Sequence, residues 1–387
     1  MTVYTVYRRE KDGRRKEIIE RFNQFAATMR HNEAGSWSLS GTEISGFSPF
    51  QTGDGVIVYR DDEVFLSGFI KTITEDIDET FEDGHLTRWT VDGYDDNGLL
   101  SLRSIFPDPA SLDIAAASHQ TITDAAGNAI LTFIRTQAGT DAASGRVIPR
   151  LFTEAPQNEG SIGTFQARFQ PLLEFVQGIA HGAGLSFRLR YDEASEGIIA
   201  DVYRAVDHSE RVIFAREFGN LRSWVHKRTA PKANAVWVVG QGEMTARMVS
   251  YREDSASIER WGRIEVIKDR RDISDQAVAD DPRTPQERLD EAAEAFLSES
   301  VAGDSYELEL APIERLQFRR DWDLGDIVTI RIGNEAIQAA ISEVKIDYAA
   351  GIETVKPSVG TISRGTLGKT YGEIRDIRQR LEVLERI

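Results

Sequence analysis

Cysteine is missing from the whole 387-residue chain, which excludes a disulfide scaffold, a Cys-ligated zinc or iron–sulfur centre and a thiol nucleophile. Long apolar runs are missing too: no stretch of about 18 uninterrupted apolar residues occurs, so no membrane-spanning helix is expected. The opening Met1-Thr2-Val3-Tyr4, followed by Arg8-Arg9-Glu10-Lys11, lacks the apolar core of a secretion signal. Basic charge is scarce. Lys and Arg number 46 against 63 Asp and Glu, a formal net charge of −17 with a pI near 4.9. A nucleic-acid clamp draws its affinity from clustered cations, so this balance argues against one. An acidic surface that lets DNA pass without sticking remains compatible with it.

Catalytic sets are scarce as well. His31, His85, His119, His181, His208 and His226 show no His-x-x-x-His or His-Glu-x-x-His spacing, and no Gly-x-Ser-x-Gly elbow is present. The cluster Gly178 to Gly184 follows a helical pattern and precedes a strand, the reverse of a dinucleotide loop, and reads as a helix C-cap with His181 in the last turn. The acids Asp61-Asp62-Glu63, Glu75-Asp76, Asp78-Glu79 and Glu82-Asp83 lack the ordered calcium-loop spacing and read as a solvated face. No catalytic, cofactor-binding or metal-ligating residue is selected.

What is present is period-2 alternation. Val3 to Tyr7, a tight turn at Asp12-Gly13 and a return near Glu17-Ile18-Ile19 form a first hairpin, with further strands at Trp37 to Ser40, Val56 to Tyr59 and Val64 to Ile73. From about Thr121 the period turns helical. Ala126, Ile130, Phe133, Ile134 and Ala138 share one face, and Phe169, Leu172, Leu173, Val176 and Ala180 another, with Pro171 in the first turn and Gly182 as the stop. Gly139 to Gly163 reads as a long loop. A hairpin follows at Leu185–Leu189 and Ile198–Tyr203, then strands at Arg211–Phe214, Ser223–Lys227 and Ala235–Val239. Thr284-Pro285-Gln286-Glu287 has capping-box spacing and starts a helix to about Val301 that buries Leu289, Ala293, Phe296 and Leu297, with strands again from about Ser305.

An internal echo stands out. Gly53-Asp54-Gly55-Val56-Ile57-Val58 and Gly325-Asp326-Ile327-Val328-Thr329-Ile330 each open a strand that returns through Phe69-Ile70 or Ala340-Ile341. Gly53, Asp54, Gly325 and Asp326 are therefore expected to set two matching strand-opening turns. At the C-terminus, Ile374, Ile377, Leu381 and Leu384 repeat at spacings of 3, 4 and 3 among charged residues, the a/d seam of a self-pairing helix. The expected fold is mainly β with α insertions (α+β): two related antiparallel β-barrel domains, a helix-containing insert and a C-terminal helix. The boundaries are 1–110 for the first barrel, completed by 211–265, then 111–210 for a mixed α/β insert, 266–365 for a second barrel with a leading helix, and 366–387 for a C-terminal coiled-coil helix.

Gly35-Ser36-Trp37-Ser38-Leu39, Gly53 to Arg60, Ser67-Gly68-Phe69-Ile70, Phe214 with Gly219-Asn220-Leu221, Val238 to Gly242 and Trp322 to Val328 occur in an order that resembles the tail hub (minor tail or tail-associated) proteins of long-tailed phages. These are similar in fold to the central baseplate hub of contractile tails. The resemblance spans about residues 1–360 and rests on turns and strand starts. It implies a structural virion protein of the tail tip or baseplate, made in the host cytoplasm. It further implies a homotrimer whose two related barrels per subunit form a pseudo-sixfold ring, joining the sixfold tube to the threefold tip and forming part of the genome-delivery channel. The implied partners are itself, distal tail or tube proteins, the tape measure protein and tail-tip or receptor-binding proteins, with DNA only in transit. The seam at Ile374, Ile377, Leu381 and Leu384 would hold the trimer. A negative bore would keep DNA from adsorbing. Many such proteins carry a peptidase, lysin or fibre extension, whereas this chain ends in a short helix. Two alternatives stay open: a tail-associated cell-wall-degrading enzyme, and a carbohydrate-binding tail-tip protein stacking sugars on Trp224, Trp237, Trp261 and Trp322.

Overall fold

The computed structural model describes residues 2–44, 46–79, 85–242, 247–270, 273, 283–311 and 316–361. It is mainly β, with a few helices. The N-terminal strands are β1 (Tyr4–Arg9), β2 (Arg15–Ile19), β3 (Gln24–Arg30), β4 (Ser36–Ile44), β5 (Gly55–Arg60), β6 (Glu63–Asp78) and β7 (Leu86–Asp95). After a 3-10 turn come β8 (Gln120–Ala125), α1 (Ala126–Gln137), β9 (Leu151–Thr153), β10 (Ile162–Ala167), α2 (Leu172–Ala183), β11 (Ser186–Asp192) and β12 (Gly197–Tyr203). The remainder is β13 (Ile213–Ala215), β14 (Leu221–Thr229), β15 (Ala235–Val239), β16 (Val249–Glu253), α3 (Ser255–Trp261), β17 (Glu265–Asp269), α4 (Pro285–Glu299), β18 (Gly303–Leu310), β19 (Ile327–Ile332), β20 (Glu335–Ala349) and β21 (Ile352–Thr361).

The chain divides into a larger unit containing Met1–Ser223 and Leu308–Ser358 and a smaller one containing Trp224–Glu307. In the larger unit β1 pairs antiparallel with both β2 and β5, across the Asp12-Gly13 turn where Gly13 has φ +90°. β3 lies between β4 and β20, and every one of its residues is buried, as a strand covered on both edges and both faces must be. Among the described residues the strand order ends at β14 and β2, with β13 ending a branch through β19, and no barrel closes within it.

Between β7 and β13, α1 and α2 pack together through Phe133 and Phe175, whose rings meet edge to face at 4.7 Å. They cover the β11–β12 hairpin, burying Ile130, Leu172, Val176, Phe187 and Ala200. α2 starts one residue after Pro171 and ends at Gly184, which takes φ +61° and donates its N–H to the Ala180 and His181 carbonyls. Gly182, expected as the stop, lies inside the helix. Gly184 is the residue that turns left-handed and closes the last turn. Phe169 also departs from expectation: at φ +64° and 49% exposed it precedes the helix and leaves its buried face. The loop expected over 139–163 contains β9, which pairs parallel with β12. Three residues are too few to show a period.

In the smaller unit β15 is flanked by β16 antiparallel and β17 parallel. α4 covers β15 and β16, burying Leu289 and Ala293 against Val236 and Val238, with Phe296 and Leu297 half-buried beside them. Thr284 and Glu287 close the expected capping box, and the helix ends at Glu299. The expected C-terminal helix, 366–387, lies outside the described residues.

Candidate assembly surface

Gly53 and Gly325 occupy the same backbone conformation, φ +93° and +89°. In both turns the following aspartate accepts from an amide three residues back: Gln51 N–H to Asp54 Oδ2 (2.7 Å) and Asp323 N–H to Asp326 Oδ2 (2.8 Å). Each aspartate carbonyl then receives the amide of the matched isoleucine, Ile70 at 3.0 Å and Ile341 at 2.9 Å. Sequence spacing places those isoleucines 17 and 16 residues after the glycine (70 − 53 and 341 − 325). The odd residue is a β-bulge. β5 and β6 pair Val58 with Leu66 but Tyr59 with Val64, leaving Phe65 extra, while β19 and β20 keep one register throughout.

The equivalence extends well beyond the turns. β3-β4-β7-β6-β5 is one order of neighbouring strands and β14-β18-β21-β20-β19 is another, and within each set the chain visits the strands in the same sequence. Lengths agree as well: 6, 16 and 10 residues for β5, β6 and β7 against 6, 15 and 10 for β19, β20 and β21. Outside the five strands the correspondence ends, since β1 pairs antiparallel with β5 whereas β13 pairs parallel with β19.

The repeats differ in what covers the far half of the long strand. β20 reaches past β19, and residues 343–349 pair antiparallel with β3, from Glu343 opposite Arg30 to Ala349 opposite Gln24. A buried ion pair, Arg30 Nε to Glu343 Oε2 at 3.0 Å, closes one end of that ladder. β6 likewise reaches past β5, and its residues 72–78 pair with β7; Lys71, Thr72, Glu75, Asp76 and Ile77 are exposed, with the Ser48 amide donating to Glu75 Oε1 at 2.7 Å and Arg88 lying 3.8 Å from Asp76. β14, which holds the place of β3 in the second repeat, ends the strand order and exposes Arg222, Val225, Lys227 and Arg228. An unpaired strand edge presents a row of free N–H and C=O groups, a template for another strand.

The larger unit contains a buried polar centre. Arg9 grips Asp96 with two parallel bonds of 2.7 and 2.6 Å, Ser67 donates to the same carboxylate, and the Tyr191 amide donates to Ser67 Oγ at 3.1 Å. Neighbouring Asp95 accepts backbone amides from Gly35 and Gly98, yet its Oδ1 has no partner, and burial pushes its carboxyl up to about 7. His31 Nε2 lies 2.7 Å from Ser186 Oγ, the spacing of a base and nucleophile. Ser186 is 1% exposed, however, so no substrate reaches it. Burial holds the His31 imidazole below its ordinary pKa.

Among the described residues no group of three His, Asp or Glu side chains is arranged to hold a metal, and no helix is long and apolar enough to cross a membrane. A groove of about 460 Å³ is lined by Tyr4, Glu20, Phe22, Asn23 and Tyr348 among others. Of the tryptophans considered for sugar stacking, Trp322 is 2% exposed, packs edge to face on Phe214 and donates to the Leu316 carbonyl. It is a core residue. Trp224, Trp237 and Trp261 are half-buried. Ile374, Ile377, Leu381 and Leu384 lie outside the described residues. Sequence reasoning missed the Arg9–Asp96 pair, since an ion pair between residues 9 and 96 leaves no local pattern.

The family model for Siphovirus ReqiPepy6 Gp37-like protein matches residues 4–361. No curated protein matches the chain. Among solved structures, it is similar to the 43 kDa tail protein of prophage MuSo2 from Shewanella oneidensis, with 11% identity, a TM-score of 0.56 and coverage of 92% of this chain and 98% of that one. A tail protein from Neisseria meningitidis is similar too, at 12% identity and a TM-score of 0.54, covering 92% and 96%. At such identities the likeness is one of fold.

Proposed function

Because the chain belongs to the family of Siphovirus ReqiPepy6 Gp37-like proteins, and so to the structural proteins of phage tails and baseplates, we propose that it is the homotrimeric hub of the tail tip. In this reading each subunit contributes two related β-domains, one built on β3 to β7 and one on β14 with β18 to β21, so that three chains present six similar places to a sixfold tube. The other side keeps threefold symmetry for the tip proteins. The genome leaves through the centre. The observation that carries the reading is the five-strand order repeated twice in one chain, because a doubled domain is what lets a trimer match a hexamer. Barrels then close across subunits rather than within one chain. The role is structural and not catalytic, and the seam of Ile374, Ile377, Leu381 and Leu384 ties the three C-termini.

The test is the solution mass by light scattering, for the full chain and for a chain lacking 371–387. A trimer that weakens on truncation, and likewise on Ile377→Glu with Leu384→Glu, is expected. A monomer at high concentration would defeat the reading, and a trimer indifferent to both changes would remove the seam from it.

A further inference from the structure

Among the described residues three arginines are buried: Arg9, Arg30 and Arg146. Two of them grip a carboxylate, Arg9 that of Asp96 and Arg30 that of Glu343. Arg146, only 8% exposed, grips none. Its Nη1 donates to Gln137 Oε1 at 3.0 Å and its Nη2 to the Ser104 carbonyl, while the guanidinium lies 3.6 Å from the centre of the Phe106 ring. Half-buried Arg103 adjoins it, donating from Nε to the Arg146 carbonyl at 2.7 Å and from Nη1 to the Leu102 carbonyl at 3.1 Å. Every acceptor in this set is neutral. Two neighbouring cations therefore stand without an acid in a chain whose acids outnumber its bases 63 to 46.

We infer that Arg103 and Arg146 form a binding site for a small oxyanion, a carboxylate or phosphate group that comes from outside the chain. The site goes beyond the hub reading and does not depend on how many chains assemble. Burying a charge is costly unless an opposite charge meets it. Burial holds both guanidiniums below their ordinary pKa, and the Arg103 charge adds to that effect at Arg146. One oxyanion relieves the cost at both residues. Donors remain for it, because a guanidinium is a fork of N–H groups and most of those on the two residues are not spent on these bonds. Such forks bind pairs of oxygens, which selects a carboxylate or phosphate over a halide. The loop that carries Arg146 is open to solvent: Ser144, Gly145 and Val147 are exposed, and a Cβ on Gly145 would meet no atom within 4 Å. Exposed Leu102 and Val147, each next in sequence to one of the arginines, give the site an apolar rim. Such a rim lowers the local dielectric and strengthens the attraction.

The test follows thermal unfolding of the full chain, at neutral pH and constant ionic strength, as inorganic phosphate or sodium acetate replaces sodium chloride. The midpoint is expected to rise and saturate with at least one of the two anions, and the more effective one identifies the group recognised. Arg103→Gln should raise the half-saturating concentration several-fold. Arg146→Lys, which keeps the charge and loses the fork, should do the same; if it fails to fold, Arg103→Gln still carries the test. Arg204→Gln, which removes an exposed arginine already paired with Glu159, should leave the response as it is in the unaltered chain. Phosphate also stabilises folded proteins by exclusion from their surface, an effect that does not saturate. A rise without saturation, a response that Arg103→Gln leaves unchanged, or no response to either anion overturns the site.

Discussion

The two five-strand repeats share order, lengths and opening turns, but they differ in what was placed around them. In the first, β3 and β4 are joined by the few residues between Arg30 and Ser36; in the second, the equivalent β14 and β18 are separated by residues 230–302, which hold β15 to α4. In the second, the far half of the long strand β20 is capped by the chain's own β3; in the first, the far half of β6 pairs with β7 and takes no equivalent capping strand among the described residues. A duplicated element thus keeps its hydrogen-bonding frame and diverges where the frame is open, at a hairpin tip and a strand edge. Those are the places where added or changed residues break no ladder.

The sharpest way to expose that difference is to weaken the capped half of β20. Arg30→Met removes the guanidinium from buried Glu343 and is expected to lower stability by about 3–5 kcal/mol in urea unfolding. The turns discriminate next. A Cβ on Gly325 would lie 2.6 Å from His31 Nε2, whereas one on Gly53 would meet nothing nearer than 3.6 Å. Gly53→Ala should then cost about 1–2 kcal/mol for its left-handed backbone, and Gly325→Ala clearly more; equal losses would mean that His31 gives way freely.

Titration separates the repeats further, since Asp95 ends β7 of the first. Its carboxyl is held above its ordinary range, so the folded state grips the proton more tightly than the unfolded chain. Stability is full below the ordinary carboxylate range and falls as pH rises towards about 7. Between pH 5 and 7 the loss should be about 2 kcal/mol, and Asp95→Asn should flatten it; a variant with unchanged pH dependence would place the titration elsewhere. The smallest effect belongs to the uncapped strand. Asp76→Ala, on the exposed half of β6, should change the urea midpoint by no more than about 0.5 kcal/mol equivalent, in contrast to Arg30→Met on the capped side.

Much of this was legible locally. The Gly–Asp echo identified both opening turns, because a glycine at positive φ and an aspartate that caps its own turn act within a few residues. The capping box at Thr284 and the apolar faces of α1 and α2 were legible for the same reason. Element ends were less so: Gly182 and Gly184 are both plausible stops, and only the backbone selects Gly184. Trp322 had no local mark of burial, and the single-residue mismatch between the repeats became a bulge at Phe65 only when the ladders were traced.

Alternation, turn residues and charge by themselves determined that this is an acidic, mainly β chain with a repeated hairpin, since those properties depend on near neighbours. Which strands meet was decided only in three dimensions. β14 finds β18 across residues 230–302, and β3 finds β20 from the opposite end of the chain. Backbone N–H and C=O groups are the same in every residue, so strand partners are chosen by the packing and geometry of the whole sheet rather than by the strands' own sequences.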